Sequence, residues 1–241
     1  MMDFNGKKAL VTGGTRGIGR AIASRLQELG AQVTVTGRAA DASADLGTLD
    51  YVAADFSDSD STSRFCELVA GMPDLDVVVN NAGINHIERI EDYPAERFDE
   101  VTAVNYTAVY LVAQAAARSM LASGRPGRIV NIGSIWATNT REGRSAYCAA
   151  KAGVAGMTRA ISTDLAPHGI VVNTVSPGFT LTELTERSLG PEGIDEVSGQ
   201  IPMKRLAEPA EIAEVVAFLA SSSNSYLTGQ NIIVDGGFTN V

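Results

Sequence analysis

Tyr147 and Lys151 stand four residues apart in Tyr147-Cys148-Ala149-Ala150-Lys151, and Ser134 precedes the tyrosine by thirteen. Positions i and i+4 of a helix share a face, so the Lys151 ammonium is predicted to lie within reach of the Tyr147 phenol. A free tyrosine titrates near pH ~10, and a close cation pulls that value toward the range where a phenol exchanges protons at neutral pH. Ser134 adds a hydroxyl able to orient and polarise a carbonyl. The chemistry of the trio is proton transfer to a carbonyl oxygen. The competing reading is a surface Tyr/Lys pair on an ordinary helix. With 6 Tyr and four Lys in 241 residues, such a pair arises by chance about 0.1 times, so the pair needs independent support.

That support stands near the amino terminus. Lys8-Ala9-Leu10-Val11 reads as a short apolar strand, Thr12-Gly13-Gly14-Thr15-Arg16-Gly17-Ile18-Gly19 as a loop, and residues 20–29 as a helix closed by Gly30. Glycines at 13, 17 and 19 let backbone amides and the positive end of a helix approach a pyrophosphate. The spacing G-x-x-x-G-x-G departs from G-x-G-x-x-G, and a plain turn is the alternative. The second strand ends Thr34-Val35-Thr36-Gly37-Arg38. An NAD site places an acid there to hold both ribose hydroxyls. Gly37 occupies that position, Arg38 follows it, and Arg16 aims a second guanidinium at the same corner. Guanidinium forks match phosphate oxygens, so NADP(H) is the expected cofactor; two solvated arginines are the alternative.

The elements that must position these groups alternate along the chain. Apolar, strand-like runs fall near 8–11, 32–36, 49–54, 75–80, 128–132, 171–175 and 231–234, with long helical stretches near 95–123, 146–165 and 209–220. The pattern predicts an α/β fold: a doubly wound, Rossmann-like parallel sheet of about seven strands, helices on both faces and ligands at the carboxyl ends of the strands. Residues 1–241 are expected to form one dinucleotide-binding and catalytic domain. Between 38 and 49 about ten residues remain, near the lower limit for a crossover, so that helix should be short or broken. Segment 179–205 shows neither clear strand nor core helix. It reads as a mobile substrate lid, with a surface loop as the alternative.

Composition narrows the function classes. A net charge of −9 argues against a nucleic-acid surface, which needs a basic face. No apolar run approaches the ~18 residues of a membrane span, and the amino terminus lacks the regions of a signal peptide. Cys66 and Cys148 are the only cysteines, too few for a disulfide framework, so a cytoplasmic setting is expected. Cys148 reads as small core packing. With His86 and His168 as the only histidines and no ligand-like spacing, no metal site is expected.

Taken together, the residues resemble the short-chain dehydrogenase/reductase family over nearly the whole chain. Thr12 to Gly19 is similar to its cofactor loop, with Gly13, Thr15, Arg16, Gly17, Ile18 and Gly19 implied as contacts. Asp55, with Phe56 beside it, stands where the family's adenine-contacting acid follows the third strand. Asn80-Asn81-Ala82-Gly83 matches the segment ending the fourth strand, which adds Asn81, Ala82 and Gly83. Asn105, Ser134, Tyr147 and Lys151 match the catalytic four. Pro177-Gly178 with Thr182 matches P-G-x-x-x-T, so Pro177, Gly178, Thr180 and Thr182 are implied at the nicotinamide end. The resemblance further implies that Lys151 grips the nicotinamide ribose together with Tyr147, that Asn105 holds a water relaying protons to Lys151, and that the chain forms homodimers or homotetramers. Small residues Ala149, Ala152, Gly153 and Gly156 would allow the close helix approach that such pairing needs. Gly127 to Ile132, Ala149 to Gly153 and Val234 to Gly237 look most like 3-oxoacyl-carrier-protein reductases and related sugar and polyol dehydrogenases. A regulator with a dead site would normally lack the Tyr or the Lys, and both are present.

The substrate pocket is predicted from neighbouring segments. Asn85 and His86 follow the N-N-A-G turn, and Trp136 and Arg141 lie between Ser134 and Tyr147; a flat apolar wall is thus combined with polar or anionic recognition. Two substrates remain open, an acyl thioester and a small polar ketone. Carrier-protein reductases typically place docking arginines just before the fifth strand and near the start of the sixth. Here Arg125 and Arg128 hold the first place but His168 the second, so free small substrates are expected to be reduced without a carrier.

Overall fold

In the computed structural model, which describes residues 2–40 and 46–241, seven strands form one sheet. They are β1 (Lys8–Val11), β2 (Gln32–Gly37), β3 (Asp50–Ala53), β4 (Leu75–Asn80), β5 (Arg128–Ile132), β6 (Val171–Pro177) and β7 (Asn231–Val234). Their order is β3-β2-β1-β4-β5-β6-β7, and every pairing is parallel. Every residue of β4 is buried, as a central strand covered on both faces requires. The predicted doubly wound sheet of seven strands is what the chain forms.

Helices α1 (Gly17–Glu28) and α7 (Pro209–Ala220) cover one face, where Ile22, Leu26, Ile212 and Val216 pack with Val33 and Val35. On the other, α2 (Ser59–Ala70) and α4 (Ala108–Ser123) set Phe65, Val69, Val112 and Met120 against Leu10, Val78 and Ile129. Strand β1 divides its side chains accordingly: Ala9 and Val11 go to the first core, Leu10 to the second. That is the period-2 alternation of a strand. Each such fully buried aliphatic contributes roughly 1.5–3 kcal/mol. Helix α5 (Ser145–Leu165) docks beside α4 through Val109, Val154 and Met157.

After β3 the chain crosses back to lay β4 beside β1. The crossovers leave β1 and β4 in opposite directions, and a crevice opens at their carboxyl ends.

Two expectations need correction, and a third falls largely outside the described residues. The single helix expected over 95–123 is α3 (Ala95–Thr102), a π-helical turn (Ala103–Thr107) that carries Asn105, and α4. The 179–205 stretch is mostly helical: α6 (Glu183–Gln200) bends at Gly190, whose φ of 64° and ψ of 177° suit glycine alone. Gly190-Pro191 and a nearly absent apolar stripe hid this helix, of which only Val197 is fully buried. In the 38–49 crossover, residues 46–49 form a turn, and the rest of the predicted short helix, 41–45, lies outside the described residues.

Candidate active site

Thr12 turns the chain at the end of β1, and the end of β4 fixes that turn. The Thr12 hydroxyl accepts the Asn81 amide at 2.9 Å and the Ala82 amide at 3.0 Å. The Asn81 side chain donates to the Thr12 and Gly13 carbonyls at 2.9 and 3.1 Å. Gly13 has a φ of 64° and donates its amide to Thr36 Oγ1 at 3.0 Å. A Cβ on Gly19 would sit 2.3 Å from both Asn81 Nδ2 and the Gly13 carbonyl, so no side chain is possible there. Helix α1 then starts without a side-chain cap, and its first amides are available to an anion.

A cleft of about 630 Å³ runs along this loop. Gly13, Thr15, Arg16, Gly17, Ile18 and Gly19 line it from the loop, Arg38, Asp55 and Phe56 from the second and third strand ends, and Asn81, Ala82, Gly83 and Thr182 from the far side. Ile84, which follows the N-N-A-G turn, also lines the cleft, as do Glu100, Val104 and Leu184; these last three escaped the sequence reading, because none belongs to a glycine or acid motif. At the corner beyond β2, a Cβ on Gly37 would lie 2.9 Å from both Thr15 Cγ2 and Tyr51 Oη. An acid there would have to push the Thr15 and Tyr51 side chains aside. Arg16 and Arg38 are both exposed and form no ion pair among the described residues. The Ser57 hydroxyl and amide donate to Asp55 Oδ1 at 2.6 and 2.9 Å. These bonds, with the charge of Arg38 adding, hold the Asp55 carboxyl below its usual pKa. Phe56 belongs to the second core, edge-on to Phe65 at 5.4 Å.

Ser134 follows β5, and Tyr147 and Lys151 project from the first turns of α5. Ser134 lies close enough to Tyr147 to draw its pKa down, and Ser134 Oγ accepts the Trp136 amide at 3.2 Å. Burial pushes the Tyr147 phenol above its ordinary value, while Ser134 and the Arg144 charge pull the other way. Lys151 is 3% exposed, donates to the Ile132 carbonyl at 2.8 Å, and sits 5.7 Å from the Tyr147 ring centre. Its own pKa is pushed down to about 8 by burial. In the chain by itself desolvation outweighs these downward pulls, and the net direction of the Tyr147 pKa is upward.

Asn105 is wholly buried and takes both sides of one residue's backbone: its Oδ1 accepts the Ile84 amide at 2.8 Å, and its Nδ2 donates to the Ile84 carbonyl at 2.7 Å. The side chain therefore clamps the loop after β4, and one N–H and one oxygen lone pair of its amide stay free for a further partner. Of the residues implied at the nicotinamide end, Pro177 closes β6, and Gly178 presses so near β7 that a Cβ would meet Asp235 Cβ at 2.7 Å. Thr182 caps α6 through the Thr185 amide at 3.3 Å. Thr180 is buried, with its hydroxyl on the Gly178 carbonyl at 3.2 Å, so it is not brought onto the cleft.

The two segments expected to line a substrate pocket do meet. The Glu88 amide donates to the Gly143 carbonyl at 3.1 Å, and Arg89 pairs with Glu142. Asn85 and Arg141 are exposed, and the His86 ring stands edge-on to Tyr93 at 5.4 Å. Trp136 is nearly buried, edge-on to Phe179 at 5.9 Å and Phe238 at 6.3 Å. Asp235 brings Phe238 there by accepting the Gly237 and Thr239 amides at 2.9 and 2.7 Å. Over Trp136 lies Arg144, 5.1 Å from the ring. It ends the 135–144 stretch that the sequence places between Ser134 and Tyr147, three residues before the tyrosine. Cys148 lies 3.6 Å from the Thr140 hydroxyl and is only half-buried; it packs on that segment and not in the core. Among the described residues, no group of three or more His, Cys, Asp or Glu side chains could hold a metal, and no helix is long and apolar enough to cross a membrane.

A protein-family profile described as Enoyl-(Acyl carrier protein) reductase matches residues 13–239. The 3-oxoacyl-[acyl-carrier-protein] reductase FabG of Haemophilus influenzae is 41% identical over 97% of this chain and 98% of its own. A short-chain type dehydrogenase/reductase from Mycobacterium marinum superposes with a TM-score of 0.89 at 36% identity, over 98% of this chain and 97% of that one. The gluconate 5-dehydrogenase from Burkholderia cenocepacia, solved with NADP and tartrate, does so with a TM-score of 0.91 at 31% identity, over 99% and 97%. By sequence, by fold and by the placing of Ser134, Tyr147 and Lys151, the chain is an oxidoreductase and belongs to the short-chain dehydrogenase/reductase family.

Proposed function

We propose that the protein is an NADP(H)-dependent reductase that moves hydride between nicotinamide and the carbon of a ketone or secondary alcohol, acting in the cytoplasm on small polar ketones or short 3-oxoacyl thioesters. The observation that carries it is the meeting of the Ser134 hydroxyl, the Tyr147 phenol and the Lys151 ammonium beyond the end of β5.

The donor set suits a dinucleotide bearing a 2′-phosphate. Loop amides and the start of α1 meet the pyrophosphate, Asp55 the adenine, and Arg16 and Arg38 the extra phosphate at a corner where Gly37 stands in place of an acid. Pro177, Gly178 and Thr182 frame the other end. Bound there, the nicotinamide supplies or accepts the hydride.

Ser134 and Tyr147 hold the carbonyl oxygen by hydrogen bonds, and Tyr147 gives it the proton that completes the alcohol. Lys151 stabilises the resulting phenolate and returns its proton. Asn105, in the π-helical turn and bonded on both sides to the Ile84 main chain, holds the water that feeds Lys151. Segment 179–205 closes over the substrate, a reading supported by the bend at Gly190 and the shallow burial of α6. Hydrogen exchange across α6 that stays unchanged on adding NADPH and a ketone would remove the lid from this account.

The main test is NADPH oxidation on a panel of ketones, with Tyr147→Phe as control. Loss of a positioned general acid should cost about a hundredfold or more in turnover while NADPH still binds. Turnover near the unmodified level would overturn the mechanism.

A further inference from the structure

Arg144 stands where a cation is poorly tolerated unless it has work to do. It is the N-cap of α5, makes no side-chain cap bond there, and faces a helix start with no acid in its first turn. The positive end of a helix disfavours a guanidinium. Its Nε is buried without a hydrogen-bond partner, and no ion pair neutralises it among the described residues. Glu142, two residues away, is taken by Arg89. The charges that act on Arg144 are Tyr147, Cys148 and a second arginine, Arg141, and its pKa is lowered chiefly by burial. A desolvated guanidinium with no counter-charge is costly, and it is retained where an anion arrives to pair with it.

Its position says which anion. Arg144 lies one helical turn before Tyr147, close enough for each to feel the other's charge. Its guanidinium carbon lies over the Trp136 ring, 5.1 Å from the centre, and Trp136 is braced edge-on by Phe179 and Phe238. The contact with the ring holds the guanidinium near Tyr147, and its unpartnered Nε leaves a donor for a bidentate acceptor beside the carbonyl that Tyr147 would protonate.

Resting on the reductase reading above, we infer that Arg144, lying over Trp136, binds the carboxylate of a small oxo acid, so that the preferred substrates are free oxo acids and the corresponding hydroxy acids rather than neutral ketones. The rule that selects them is electrostatic: a neutral polyol or thioester leaves the guanidinium unpaired, and a carboxylate satisfies it.

Two measurements test this separately. The first is NADPH oxidation with acetoacetate and levulinate against their amides, in the unmodified protein, Arg144→Gln and Arg144→Lys. The acids should be preferred, and Arg144→Gln should lower the acid-to-amide ratio of kcat/KM by about ten- to a hundredfold, mainly through KM, with Arg144→Lys between. A ratio that Arg144→Gln leaves unchanged overturns the inference, and so does a stronger preference for a phosphate-bearing ketone. The second needs no turnover. Trp136 is the one tryptophan of the chain, so its fluorescence should respond saturably to tartrate in the NADP⁺-loaded protein, with calorimetry giving the affinity. The response should be absent with the tartrate diamide and weakened about ten- to a hundredfold in Arg144→Gln. Equal tartrate affinity in protein and variant overturns the anion site by itself. Absence of turnover on every ketone would instead defeat the reductase reading and leave the tartrate result to decide the site.

Discussion

The Lys151 ammonium donates to the Ile132 carbonyl at 2.8 Å, inside the protein and directly under the Tyr147 ring. One hydrogen bond does not replace the water this group gave up, so its pKa falls from 10.5 to about 8. The sign of the consequence is fixed. Below about pH 8 both folded and unfolded chains carry the proton and the burial penalty is fully present. Between about 8 and 10.5 the unfolded chain keeps the proton and the folded chain has released it, so stability from this group rises with pH. The stability of the unmodified protein relative to Lys151→Met should therefore increase through that window, by chemical denaturation at fixed salt. Carbonyl reduction should show the opposite slope and fall above about pH 8, as the proton on Lys151 is lost. A flat stability difference would mean that Lys151 is better solvated than its surroundings suggest.

Cofactor choice is the second prediction. If Arg16 and Arg38 clasp a 2′-phosphate, each charge-assisted contact is worth roughly 1.5–3 kcal/mol, about ten- to a hundredfold in affinity. NADPH should bind well ahead of NADH, and Arg38→Ala should narrow the gap without weakening NADH. Gly37→Asp is not the simple switch it would be elsewhere, because its Cβ meets Thr15 and Tyr51 at 2.9 Å. Calorimetric titration of both cofactors decides it; equal affinities in the unmodified chain would place the arginines in solvent.

How much of this was readable beforehand follows from range. The glycine loop, the strand cores and the Tyr147/Lys151 spacing are local patterns, and β1, β4, β5 and β7 lie where the apolar runs put them. The π turn at Asn105 is invisible to periodicity, since one extra residue per turn looks like ordinary helix over a short window. Helix α6 lacks the apolar stripe that marks a helix, its contacts being made by a small satellite cluster around Val197, Ile201 and Leu206. The spacing marks Asn81 and Asn105 but not the main-chain partners they also hold, Thr12 and Gly13 for the one and Ile84 for the other. Which donor meets which acceptor is decided in three dimensions.

Assembly is the third prediction, and the structure redistributes its support. Gly153 is small because Tyr106 of the π turn lies against it, where a Cβ would come within 2.9 Å of the ring. It therefore says nothing about a partner. Ala149, Ala152 and Tyr110 remain exposed on the outer faces of α5 and α4. That surface suits a second copy, and a dimer or tetramer is expected by light scattering, with Ala152→Glu shifting it toward monomer. A 25.2 kDa species at working concentration in the unmodified protein would defeat the idea.

The final prediction concerns how the substrate arrives. The arginines expected to dock an acidic carrier are engaged elsewhere. Arg125 pairs with Asp74 and Asp76 at 2.9 Å each. The half-buried Arg128 guanidinium donates to the carbonyls of Gly127, Gly169, Ser221 and Asn224 at 2.9 to 3.4 Å. Arg128 also begins β5, whereas Ser134 follows its end, so the two lie at opposite ends of that strand, about 20 Å apart along an extended chain. Within one chain, then, the first half of the patch is structural and remote from the site, and the second half is His168. Arg128→Glu would bury a carboxylate among carbonyl oxygens and unfold the region before it reported on docking. The informative comparison keeps the protein intact: one 3-oxoacyl group presented on carrier protein and on a short thioester, at low and high salt. The two should be reduced with similar kcat/KM and little salt dependence, as expected for a site that relies on the substrate alone. A carrier preference of about a hundredfold that salt abolishes would show an electrostatic dock that this chain's own Arg125 and Arg128 do not explain.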